Sequence, residues 1–231
     1  MEQAIAIAFA FAVIALVRYA RFRRTIDRLE IKIRSLRSLG EGELTYRRVD
    51  AGATLDELGA ELQAAGLVVL GDAASTRDPK PSRWFADSAG TAFGWIAVLD
   101  ARWMHLHVAV VVSRRGDEVF LTRRVPASAA LAEPPFLHRA EVPVAMAFAE
   151  ALAHHRARVG SAAGLVAVHA LDEATRELEQ LRARTVAWRQ TQDPASLLDR
   201  DLRAILGRHY PQLGERLARR LANPLPRARV V

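Results

Sequence analysis

Between Gln3 and Val17 the chain has no charged side chain, and Ala4–Val17 is apolar without a break. Such a run belongs either in a protein core or in a lipid bilayer. As a helix it rises about 21 Å, short of the roughly 30 Å hydrocarbon layer. Arg18 can snorkel, and Tyr19, Ala20 and Phe22 extend the apolar side into the interface, where aromatic rings are favoured. A cleaved leader carries its positive charge ahead of the apolar run. Here Met1, Glu2 and Gln3 come first and the arginines follow. The expectation is a membrane anchor over residues 1–22, with Arg18, Arg21, Arg23, Arg24 and Arg28 on anionic headgroups. Because the cationic cluster follows the span, the N-terminus should lie outside and the rest of the chain on the cytoplasmic face of the cell membrane.

The charge distribution supports lipid rather than nucleic acid as the partner. Of 33 basic and 26 acidic side chains in the 231 residues, eight basic and three acidic ones fall in residues 1–40, leaving the remainder close to balance. A nucleic-acid-binding domain would carry a basic face of its own. The chain has no cysteine, which excludes disulfides, thiolate metal sites and a cysteine nucleophile. The basic residues are almost all arginine, and with the abundant alanine this fits a GC-rich coding sequence.

Beyond the anchor, Tyr19, Phe22, Ile26, Leu29, Ile33 and Leu36 recur at alternating spacings of three and four, predicting an amphipathic or coiled-coil helix over residues 23–40. Its apolar seam has two equal outcomes. Ile26, Leu29, Ile33 and Leu36 either join two copies of the chain or pack on the chain's own domain. The segment Gly40-Glu41-Gly42-Glu43 then reads as a linker; no strand precedes it and its carboxylates would repel phosphate.

Residues 41–160 read as an α+β domain. Thr54-Leu55-Asp56-Glu57 resembles a capping box that opens a helix through Leu58 and Leu62 to Gly66. Strands are expected at Leu67–Leu70, Arg83–Ser88, Ala92–Leu99, Trp103–Ser113 and Glu118–Val125. Turn residues separate them closely enough to imply antiparallel hairpins. Along Trp103–Ser113, period-2 alternation assigns Met104, Leu106, Val108, Val110 and Val112 to the core face, and His105 and His107 to the opposite one. Two histidines spaced this way can ligate a metal if a third joins them, and His138, His154 or His155 is available. The preferred reading is that they only occupy the less apolar face. Trp84, Phe85, Phe93, Trp95 and Trp103 could line an apolar groove, but aromatic core packing is the expectation.

Pro126, Pro134, Pro135 and Pro143 mark an irregular crossing. A helix over about Val144–Arg158 follows, with Met146, Ala149, Leu152 and Ala153 inward. Residues 161–222 read as a helical region, with a long helix over Leu165–Gln190 braced by Asp172–Arg176 and Glu179–Arg182 pairs, and a last one broken near His209-Tyr210-Pro211. Residues 223–231 form a basic tail. Neither a Gly-x-Ser-x-Gly elbow, a phosphate-binding loop nor a His-Glu-x-x-His motif occurs, and Ser75, Ser82 and Ser113 lack the context of a nucleophile. No cofactor is implied. The function expected is a membrane-tethered, non-catalytic interaction or regulatory domain with a protein partner. The alternatives are a metal-dependent hydrolase using the histidine face and a ligand sensor at the membrane surface.

Overall fold

A computed structural model describes residues 19–20, 22–38, 44–51, 55–76, 79–101, 104–126 and 131–222. The apolar run Ala4–Val17 of the expected anchor, Arg18, Arg21, the linker Gly40-Glu41-Gly42-Glu43, Thr54, Trp103 and the basic tail lie outside these residues. No helix among the described residues is long and apolar enough to cross a membrane. The chain divides into two compact units. One takes in residues 43–128 and 133–191, the other 1–42, 129–132 and 192–231.

The first unit is α+β. Seven strands, β1 (Tyr46–Arg48), β2 (Val68–Ser75), β3 (Ser82–Ala86), β4 (Phe93–Ala101), β5 (Met104–Arg115), β6 (Glu118–Arg124) and β7 (Leu137–Val142), lie side by side in sequence order. Every pair through β6 is antiparallel; short turns dictate this from β2 to β6, while β1 reaches β2 through α2 (Asp56–Ala64). β7 pairs with β6 in parallel. The prolines around it had suggested an irregular segment, but they flank the strand rather than interrupt it. It closes one edge of the sheet and carries the charged Arg139 and Glu141, which pair with each other.

The expectation of one core face for β5 is corrected, because both faces of the sheet are covered. Phe85, Ile96, Ala109 and Val111 pack under helices α2 and α3 (Phe148–Val159). On the other side Trp84, Phe93, Val110, Val112 and Val119 pack under α4 (Leu171–Thr191). Sequestering both faces explains why Val108–Val112 is apolar at every position. It also settles Trp84, Phe85 and Phe93 as core. Gly94 is required at the centre. A Cβ there would sit 1.9 Å from the Val110 carbonyl oxygen, so no other residue fits.

Three helix readings change. The N-cap position of α2 is Leu55, which makes no side-chain cap bond; Arg83 of β3 fastens this end instead, donating to the Leu55 carbonyl at 2.8 Å and pairing with Asp72 at 2.9 Å. Helix α3 starts later than expected, after a turn in which Met146 N–H donates to the Pro143 carbonyl. Its buried face is therefore Phe148, Ala151, Leu152, His155 and Val159, with Ala149 and Ala153 exposed. Helix α4 starts at Leu171 because residues 165–168 serve another purpose. Val166 N–H bonds the Arg114 carbonyl, and Val168 N–H bonds the Gly90 carbonyl. Asp172 and Glu179 reach β1, at Arg48 and the Tyr46 N–H, rather than acting only along their own helix.

The second unit is helical: α1 (residues 22–38), α5 (Pro194–Leu206) and α6 (Tyr210–Ala222), the last two joined by a 3₁₀ turn at Gly207–His209. Asp193 caps α5 through the Ser196 N–H, with Pro194 in the first turn. Ile26 and Ile33 of α1 are 1% and 0% exposed and pack against Leu198, Leu202, Leu206, Leu217 and Leu221.

Candidate functional site

The seam residues Ile26 and Ile33 are thus occupied within their own helical unit, Leu29 packs on the edge of the same cluster, and Leu36 is half-buried. Of the cationic residues assigned to the membrane surface, Arg23, Arg24 and Arg28 are exposed on α1.

The three candidate metal ligands do not converge. His107 lies on β5 with Nδ1 2.9 Å from Glu61 Oε2 of α2, and the other Glu61 oxygen is 2.7 Å from Arg124 Nη1. His105 is exposed on the same strand. His138 is on β7, where it stacks on Phe120 at 5.0 Å and approaches Glu118. Phe120 is the register partner of both His138 and Ser113, and Ser113 is about 20 Å along β5 from His107 at roughly 3.3 Å per residue. Among the described residues no three His, Asp or Glu side chains are grouped to hold a metal.

A different histidine is central to the unit. His155 of α3 is fully buried between Thr122 of β6 and Ser113 of β5. Its Nδ1 is 2.9 Å from Thr122 Oγ1 and its Nε2 is 3.0 Å from Ser113 Oγ. The direction of the bonds follows from the ends of the chain. Ser113 Oγ donates to the Thr91 carbonyl at 2.6 Å, an oxygen that can only accept. Its one proton is therefore committed, and His155 Nε2 carries the hydrogen between them. Nδ1 then accepts from the Thr122 hydroxyl, whose oxygen accepts in turn from Arg158 Nη1 at 3.1 Å. Arg158 is itself anchored on the Leu121 and His138 carbonyls. Every donor in this row has one acceptor, and the imidazole is neutral. Burial first, then the Arg158 and Arg156 charges, lower the His155 pKa to about 4.

The sequence places His155 near the end of a helix, offers it as one possible third metal ligand for His105 and His107, and gives Ser113 no role. The available signal was the spacing Phe148, Leu152, His155, Val159, which puts a histidine in the apolar stripe of a helix. Such a residue must find polar partners on whatever it covers.

Beside this row opens a cavity of about 280 Å³ lined by Asp87, Thr91, Ala92, Ser113, His155, Arg156, Val159, Gly160, Ala162 and Leu165. Asp87 stands on the β3–β4 turn, where Oδ1 accepts from Thr91 N–H at 2.7 Å and Oδ2 from Thr91 Oγ1 at 3.2 Å. Arg156 of α3 reaches Asp87 Oδ2 at 3.5 Å. Gly90 makes the wall possible. Its φ is +72°, and a Cβ would lie 2.7 Å from the backbone of Val168, which closes over the turn. Protein-family models, curated proteins and solved structures give no match to the chain.

Proposed function

We propose that this chain is a membrane-tethered, non-catalytic interaction or regulatory domain held at the cytoplasmic face of the membrane. The observation that carries the reading is the uncharged apolar run Ala4–Val17 with its arginines all on the C-terminal side. The polarity of the buried row supports the non-catalytic part. A serine nucleophile must pass its proton to the imidazole, whereas the Ser113 proton points to the Thr91 carbonyl and His155 Nε2 already bears one. Reversing the row would leave Thr122 without an acceptor for its proton and face it with Arg158, which only donates.

A reporter fused after Val231 tests the tether. Activity on the cytoplasmic side, in a membrane fraction that resists carbonate extraction, is expected. A C-terminal reporter active outside the membrane, or one recovered in the supernatant, would overturn the reading.

A further inference from the structure

We infer that the cavity beside Asp87 and Arg156 is a binding site for a small zwitterion, a free α-amino acid with a short apolar side chain. The inference concerns the sheet unit alone, so it holds or fails independently of the reporter experiment.

The charges at the cavity select the ligand class. A simple anion would meet the Asp87 carboxylate, which two bonds from Thr91 hold in place. A simple cation would meet Arg156, with the Arg158 guanidinium behind it on the Thr122 hydroxyl. A molecule carrying both charges on neighbouring atoms satisfies both groups without separating them. Its ammonium sets against Asp87 and its carboxylate against Arg156, closing a ring of four alternating charges. Both groups have capacity to spare. A carboxylate offers about four lone-pair sites, of which Thr91 and Arg156 take three. The Arg156 side chain is 53% exposed, and among the described residues its guanidinium makes only the 3.5 Å contact with Asp87. A guanidinium fork presented in this way favours paired bonds to a carboxylate.

The remaining walls select the side chain. Ala92 and Val159 are buried in the wall, and Ala162 and Leu165 complete it. Pockets that hold drug-sized molecules span roughly 300–1,000 Å³, so about 280 Å³ matches a smaller ligand on the scale of leucine or valine. Ser113 Oγ, with its proton committed to Thr91, retains accepting capacity only, which adds a second partner for an ammonium. The site therefore binds and does not transform.

Calorimetric titration of L-leucine into the full chain in detergent micelles tests the inference. Two analogues accompany it, 4-methylpentanoate without the amine and 3-methylbutylamine without the carboxylate. Saturable leucine binding is expected, with each analogue at least tenfold weaker. Arg156→Gln should weaken leucine at least tenfold and tighten the amine, whose like charge it removes, and Asp87→Asn should weaken leucine and tighten the carboxylate for the same reason. Arg156 is half-exposed on the helix surface, so its variant keeps the fold, as circular dichroism can verify. Should Asp87→Asn fail to fold, Arg156→Gln decides. Absence of saturable heat with leucine and valine, analogues that bind as well as leucine, or an Arg156→Gln variant with unchanged affinity would each overturn it.

Discussion

His107 and His155 both lie in the layer between the sheet and helices α2 and α3, and each bridges helix to strand through a hydrogen bond of 2.9 Å. In every other respect they differ. The His107 side chain is 32% exposed and meets a carboxylate that already holds Arg124. His155 is 0% exposed and meets only hydroxyls. Beside Glu61, solvent shares the work of satisfying the ring. Inside the unit, the protein must supply a partner for each nitrogen, and it does so with a row that runs from a guanidinium to a backbone carbonyl. The conspicuous histidine of the sequence is the one whose loss the fold can tolerate. The inconspicuous one fixes how α3 sits on β5 and β6.

The sharpest way to break this comparison is substitution. His155→Ala removes a buried ring and strands the Ser113 and Thr122 hydroxyls, which should cost about 4 kcal/mol in denaturant unfolding. A loss under about 1 kcal/mol would mean that the row contributes nothing. The pH dependence comes next. His155 has a folded pKa of about 4 and an unfolded value near 6.5. Between these values the unfolded chain binds the extra proton, so stability is full above about pH 6.5 and falls as the pH drops toward 4. The total is on the order of 3 kcal/mol. Linkage measured on His155→Gln should show one proton fewer in that interval, and an unchanged slope would refute the assignment.

At the other end, Glu61→Gln leaves the nearly buried Arg124 without its carboxylate and should cost about 1–2 kcal/mol. His107→Gln should cost least, under about 1 kcal/mol, because a half-solvated pair contributes little. If His107→Gln proves as damaging as His155→Ala, the contrast between the two sites collapses.

Much of the sheet was legible in the chain because hairpins are local. Five of its strands sit within a few residues of their expected places, since alternation and the Arg115-Gly116-Asp117 and Ala89-Gly90-Thr91 turns are written in contiguous residues. β7 was not legible, because a parallel partner is chosen by a crossing whose path local sequence does not specify. The helix phase failed at α3 for a related reason. Treating histidine as polar moved the expected stripe toward Ala149 and Ala153, when the side chains facing the sheet were Phe148, Leu152 and His155. The cavity draws on β3–β4, β5, α3 and the segment after it, four stretches whose meeting depends on the whole fold. The sequence places Asp87 near a strand end, where a carboxylate can be catalytic but more commonly forms a turn, and it holds the turn at Thr91.

The helical unit has a consequence for the chain as it is being made. Arg34 of α1 donates to the Arg220 carbonyl of α6, 186 positions later, and Ile26 and Ile33 wait for leucines of the same two C-terminal helices. At synthesis rates of roughly 5–20 residues per second, about 10–40 s pass between the emergence of that stripe and the arrival of its cover. Throughout this interval the sheet unit can form, while α1 holds an open apolar edge toward whatever surrounds the ribosome. The nascent chain should therefore expose this stripe until α5 and α6 arrive, and truncations before Pro194 should extend that exposure indefinitely.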